Sequence, residues 1–246
     1  MNGFKQVSVA LATAGVLGSG LAQAALHDRG GGLLFDDVLG VTWLQDANYA
    51  KTSGYDADGL MNWSAANAWA GSLDISRVAG ESLTGWRLAA NTPVGPDWND
   101  AFSYDGSTDH GYNIRSPHSE LSYMYYVNLG LKSYYDMSGA YQSDFGIFGD
   151  GTWGGQNDVG PVKNLQSDAY WSGTAHAPYP AYKAWGFYAV VGYQYHYIQN
   201  REFYAWAVRP GDVAAVPEPE VYALLLAGLG LLAVAAKRRR RSFAAS

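Results

Sequence analysis

Two apolar segments without a single charged side chain bracket the chain, at residues 7–21 and 221–236. Between them the hydrophobic positions come in short bursts. Leu33-Leu34-Phe35 and Val41-Thr42-Trp43-Leu44 read as two strands joined by a turn at residues 36–40. Asn62 is placed to cap a helix over residues 63–73, where Trp63, Ala66, Trp69, Ala70 and Leu73 recur at helical spacing. A second helix is marked by Ser116 as cap, Pro117 in the first turn and Gly130 as stop, with Leu121, Met124, Tyr125 and Leu129 on its buried face. Residues 138–163 are rich in Gly and Asp and read as long loops. Aromatic strands follow at residues 170–173, 184–192 and 203–209. Strands, two helices, loops and strands in that order predict an α+β chain of short antiparallel strands and long loops.

Composition narrows the picture. The 246 residues include 19 Tyr, 9 Trp, 8 Phe and 30 Gly, and no Cys. Thiol catalysis, thiolate metal sites and disulfides are therefore excluded. About 190 residues lie between the apolar ends, enough for one domain with its own core. The net charge of −6 hides an asymmetry. Six of the 16 basic residues lie in the terminal segments and two of the 22 acids flank the tail, leaving 10 basic against 20 acidic residues in residues 25–212. A domain near −10 argues against nucleic acid and against polyanionic glycans held by bulk charge. It suits neutral glycans, cations or protein partners.

The ends read as addresses. Lys5, an apolar stretch and Ala22-Gln23-Ala24 make residues 1–24 a signal peptide, cleaved after Ala24. The other end carries Pro217-Glu218-Pro219, the uncharged segment 221–236, then Lys237, Arg238, Arg239, Arg240 and Arg241. Sixteen residues are slightly short for a membrane span, and the basic cluster would stay cytoplasmic. Residues 213–246 thus resemble the PEP-CTERM sorting signal of Gram-negative bacteria. The resemblance implies transient anchoring in the inner membrane, an exosortase as partner, cleavage near Pro217, and a final place on the surface or in the extracellular matrix. Such proteins usually accompany exopolysaccharide production.

Four segments carry a further resemblance: Trp43-Leu44-Gln45-Asp46-Ala47-Asn48, Gly85-Trp86-Arg87-Leu88, Tyr170-Trp171-Ser172-Gly173-Thr174 and Ala205-Trp206-Ala207-Val208-Arg209-Pro210-Gly211. In that order they make residues 25–212 resemble a family of secreted bacterial domains of unknown function that is similar to the C-terminal domain of the bacterial collagen-like adhesin Lcl. That likeness implies a C-type-lectin-like fold related to the formylglycine-generating enzymes. Ala89 and Ala90 replace the Pro-Thr that usually follows Trp-Arg-Leu. Formylglycine generation depends on cysteine, so this chain does not inherit it.

Few constellations point to chemistry. Asp56-Ala57-Asp58-Gly59 opens like a calcium loop, but the twelfth position is Asn67 instead of Glu, leaving Asp56 and Asp58 as candidates for a looser calcium site. Trp98-Asn99-Asp100 matches a calcium motif of sugar-binding lectins but lies early in the chain and reads as a chance tripeptide in a Pro-Gly loop. His27, His110, His118, His176 and His196 show no metal-ligand spacing. Glu81, Glu120 and Glu202 lack a context that marks a catalytic carboxylate pair, and Glu120 is explained by the favourable field at a helix start.

The aromatic run near the C-terminal end of the domain is the leading functional signal. Trp185, Tyr193, Tyr195 and Tyr197 are the candidate ligand contacts, the three tyrosines sharing one face if their segment is extended. The expectation is a non-enzymatic binding or adhesion module for glycan or surface protein, needing no cofactor unless calcium holds its loops. A polysaccharide-acting enzyme with paired carboxylates and a passive matrix component are the alternatives.

Overall fold

The computed structural model describes residues 26–76, 82–215 and 229. The signal peptide, Glu81, Pro217, Glu218, Pro219, the segment 221–236 and the basic cluster with Arg238, Arg239, Arg240 and Arg241 lie outside the described residues, apart from Leu229. Among the described residues no helix is long and apolar enough to cross a membrane.

The first half of the chain forms β1 (Leu26–Gly30), β2 (Leu33–Asp36), β3 (Val41–Leu44), α1 (Tyr49–Thr52), β4 (Leu60–Met61), α2 (Trp63–Ser72), β5 (Ile75–Ser76), β6 (Ser82–Leu83), β7 (Arg87–Leu88), β8 (Phe102–Ser103), β9 (His110–Tyr112) and α3 (Glu120–Tyr123). A π-helical turn, Met124–Asn128, continues α3. The second half is all strand: β10 (Gln156–Val159), β11 (Val162–Gln166), β12 (Ala169–Ala175), β13 (Lys183–Tyr188), β14 (Tyr193–Ile198), β15 (Phe203–Ala205) and β16 (Ala207–Pro210). Two sheets dominate. One has the order β1-β2-β3-β16-β7, the other β4-β15-β12-β13-β14-β9-β8.

The expected α+β, C-type-lectin-like class with two helices is therefore corrected: among the described residues 35% are strand and 13% helix. The reason is local. Backbone groups that would open a helix at Ser116 are spent elsewhere. Thr92 donates to His118 O, and the Glu120 N–H goes to Ala90 O at 3.1 Å. The Ser119 hydroxyl donates to Gln194 instead of capping. Only one α-turn and a π-turn remain, though Leu121, Met124 and Tyr125 are buried as the pattern required. The loop reading of residues 138–163 also gives way in part, because β10 and β11 form a hairpin around Gly160 and Pro161. Its first strand, Gln-Asn-Asp-Val, has no apolar alternation to announce it.

Other elements follow their local signals. Asn62 Oδ1 accepts the Ala65 N–H at 2.9 Å and caps α2, whose Ala66, Trp69 and Ala70 are buried. Strands β2 and β3 pair in register, Leu34 opposite Trp43. Asp36, fully buried, closes their turn by accepting the Val38 and Leu39 N–H groups, and Asn128 Nδ2 donates to its other oxygen. Burial raises its pKa even so.

The tryptophans explain the four recurrent segments. Trp43 packs edge-on against Trp206 at 4.7 Å, and Trp206 Nε1 donates to Leu44 O at 2.7 Å. Trp171 Nε1 donates to Met61 O, and Trp86 Nε1 to Leu83 O. Asp46 accepts from the Asn48 N–H and from Asn164 Nδ2, tying the segment after β3 to β11. Trp206 falls between β15 and β16, where one continuous stretch leaves the seven-stranded sheet and enters the five-stranded one.

Candidate functional site

The edge of the seven-stranded sheet is built from short, ring-bearing strands. Strand β9 pairs antiparallel with β14, and β8 pairs parallel with β9. This close approach depends on Gly111. Its φ is 134°, and a Cβ there would lie 1.9 Å from Ser103 O. We expect Gly111→Ala to cost more than about 1 kcal/mol and to detach β8, read as a lower thermal midpoint and lost amide protection at residues 102–103.

On this edge Phe102, Tyr104, Tyr112, Tyr135, Tyr193 and Tyr195 form one continuous array. Phe102 meets Tyr104 at 4.7 Å, Tyr104 meets Tyr135 at 5.2 Å, and Tyr112 meets Tyr135 and Tyr193 at 5.4 and 4.9 Å. Tyr193 stacks on Tyr195 at 6.1 Å. Phe102 and Tyr104 are exposed, as is Tyr141, which reaches the array through Tyr134. His110 Nε2 lies 2.5 Å from the Tyr193 hydroxyl. Burial, then the neighbouring Tyr195, pushes the Tyr193 pKa up to about 12, and burial also raises Tyr112. Both phenols stay neutral through the physiological range.

The sequence-derived candidates divide. Tyr193 and Tyr195 belong to the array. Tyr197 turns toward the core, 5.1 Å from Phe203 and 5.3 Å from Tyr188. Trp185 is fully buried, so its ring presents no surface to a ligand. Phe102, Tyr104, Tyr112 and Tyr135 were missed because β8 and β9 are only two and three residues long, Tyr104 and Tyr135 lie outside the strands, and the rings meet only through nonlocal contacts. The one sequence trace is the alternation of Phe102 with Tyr104 and of His110 with Tyr112.

Beside the array lies a polar cluster. Asp109, almost fully buried, accepts the Val94 and Asn99 N–H groups, each at 2.7 Å, and so anchors the loop leading to Asp100. Asp100 Oδ2 accepts from His176 Nε2 at 2.6 Å. The His176 and His196 rings are 3.8 Å apart, both more than nine-tenths buried. Neither Nδ1 has a hydrogen-bond partner. Trp98 stacks on Trp185 at 5.2 Å, and Trp185 packs edge-on against both histidines. Each residue of Trp98-Asn99-Asp100 thus has a contact within the fold. Burial, then His176, lowers the His196 pKa to about 4, so its imidazole is neutral near pH 7.

Among the described residues, Asp100, His176 and His196 are a group whose ligand atoms all lie within 4.8 Å of one another. Asp56 and Asp58 are not part of it. Their Oδ1 atoms accept N–H groups of their own loop, Asp56 from Asp58 and Gly59, and Asp58 from Leu60. That is Asx-turn geometry. Glu120 is held by Arg87 through two bonds of 2.7 Å and by the Ala90 N–H at 2.6 Å. Its place is fixed by this clamp more than by the helix start.

Beyond the sheets, the last described stretch runs into the tail. Residues 215–241 match the PEP-CTERM protein-sorting motif. The chain therefore carries the signal of an exosortase-processed protein, exported through the membrane to the cell surface or extracellular space. No curated protein and no solved structure matches the chain. Nothing in these comparisons supports the likeness of residues 25–212 to the Lcl domain.

Proposed function

We propose that residues 26–213 form a non-enzymatic module that binds neutral polysaccharide outside the cell, using the aromatic edge of the seven-stranded sheet. The observation that carries this reading is the continuous array from Phe102 to Tyr195. Sugar rings present apolar faces that stack on aromatic rings, while neutral tyrosine hydroxyls hydrogen-bond to sugar hydroxyls. Six rings in mutual contact at a sheet edge offer more apolar surface than one exposed side chain, and such patches mark interaction sites. The sorting signal supports the choice of partner, because it delivers the protein to where exopolysaccharide lies. The excess of acids over bases in the domain favours a neutral chain over a polyanion. The reading needs no cofactor.

Full chain purified in mild detergent is expected to bind the producing strain's own exopolysaccharide. Tyr104→Ala, at an exposed ring away from the core, is expected to weaken that binding about tenfold, roughly 1.4 kcal/mol. Surface plasmon resonance on immobilised polysaccharide measures both. No binding, or equal binding by Tyr104→Ala, overturns the reading. Capture of a surface protein without polysaccharide binding would assign the same edge to a protein partner. Release of oligosaccharides would instead favour an enzyme.

A further inference from the structure

We propose that Asp100, His176 and His196 form a binding site for a zinc-class divalent transition ion. The bound ion fastens the loop that carries Phe102 and Tyr104 to the end of the seven-stranded sheet.

Three observations carry this. First, the ligand atoms are already assembled. One oxygen of Asp100 and one ring nitrogen from each histidine lie within 4.8 Å of one another. Zinc–nitrogen bonds are about 2.0–2.1 Å, so ligands of one tetrahedral ion sit roughly 3.4 Å apart. Closing the gap takes shifts of about 1 Å, within the reach of side-chain rotation. Second, the two imidazoles are buried face to face, and the Nδ1 atom of each has no partner. A buried imidazole nitrogen without a partner is costly, and the two orphans mark a histidine pair that the protein's own groups leave incomplete. Third, the surroundings are those of a made site. Asp109 fixes the approach of the Asp100 loop through two backbone N–H groups, and Trp185, itself stacked on Trp98, packs edge-on against both histidines.

The donor set decides the class of ion. Two imidazole nitrogens and one carboxyl oxygen suit zinc and its neighbours, whereas calcium prefers an all-oxygen shell. Asp100 comes from the loop before β8, His176 from the end of β12 and His196 from β14. Binding therefore crosslinks three segments far apart in sequence. Asp100 is about one-third exposed, which gives the ion a route in and leaves a coordination position open toward solvent. This inference stands apart from glycan recognition, since it is read from metal content and spectra.

The test uses full chain in mild detergent, stripped with chelator and titrated with Zn²⁺, Co²⁺ or Ca²⁺. One zinc per chain is expected by calorimetry, with a rise in thermal midpoint. Co²⁺ should give the visible bands of four-coordinate nitrogen and oxygen ligation, and Ca²⁺ should do neither. Asp100→Asn, at the exposed ligand, should weaken zinc binding at least tenfold, since loss of even an indirect partner costs about 10–100-fold. His196→Gln should do the same and abolish the cobalt bands. Both variants are checked by far-ultraviolet circular dichroism, and if one fails to fold, the other variant and the wild-type cobalt spectrum decide. A folded wild-type protein that takes up no zinc overturns the proposal. So does zinc uptake that folded Asp100→Asn and His196→Gln leave unchanged.

Discussion

Trp206→Ala is expected to remove about 3–5 kcal/mol of stability, a large part of what a domain of this size possesses. Three losses coincide there. The ring packs against Trp43 at 4.7 Å and Tyr170 at 5.9 Å and is 2% exposed, so truncation opens a large cavity. Its Nε1 donates to Leu44 O, and that buried carbonyl would lose this donor. Trp206 also sits where the chain passes from one main sheet to the other, so no single sheet can close over the gap. The midpoint of urea unfolding should fall steeply with an unchanged slope. Trp206→Phe, which keeps most of the volume, should lose much less, about 1–3 kcal/mol from the orphaned carbonyl. A drop under 1 kcal/mol for Trp206→Ala would show that the two sheets are not held at this point.

Glu120→Ala is the second large effect, about 2–3 kcal/mol. The carboxylate is mostly buried, and its oxygens meet two Arg87 nitrogens and the Ala90 N–H. Truncation leaves the Ala90 amide without its acceptor and the Arg87 guanidinium with its bond to Leu88 O alone. Arg87 is more than one-third exposed, so water recovers part of the loss, which keeps the figure below that of a fully buried pair. Glu120→Gln retains one acceptor oxygen and should cost roughly half as much. A cycle with Arg87→Met separates the clamp from simple truncation: the two substitutions should be less than additive by more than about 1 kcal/mol. Additivity within about 0.5 kcal/mol would mean that Arg87 and Glu120 do not act as a pair.

Much of this chain was legible locally. The Asn62 cap, the helix after it and the β2–β3 turn depend on neighbours within a few residues. Short-range signals were enough for them. The second helix starts later than its pattern predicts because the Glu120 N–H is claimed by the Ala90 carbonyl and the His118 carbonyl by the Thr92 N–H, nearly thirty residues back. No window centred on Pro117 contains that competition. The tail was readable for a different reason. An export and sorting signal is recognised as a linear order of residues, so Pro217-Glu218-Pro219, an apolar segment and an arginine cluster carry their meaning without a fold.

The candidate sites behave in the opposite way. The aromatic run at residues 185–197 drew attention to the right sheet, yet Trp185 is internal and Tyr197 leans on Phe203, while Phe102 of β8 and Tyr104 just after it are the exposed rings of the array. Strand alternation assigns positions to faces but does not say which face or edge is covered. His176 and His196 show no ligand spacing because 20 residues separate them, and Asp100 is 76 residues from His176. Only the pairing of β12, β13 and β14, with Asp109 holding the loop before β8, brings them together. The sequence by itself determined the address of the protein, its lack of thiol chemistry and its short-range turns and caps. Tertiary structure alone decided the mostly-β class, the makeup of the aromatic edge and the His–Asp cluster. Those features rest on hydrogen bonds and burial between segments whose separation no local pattern records.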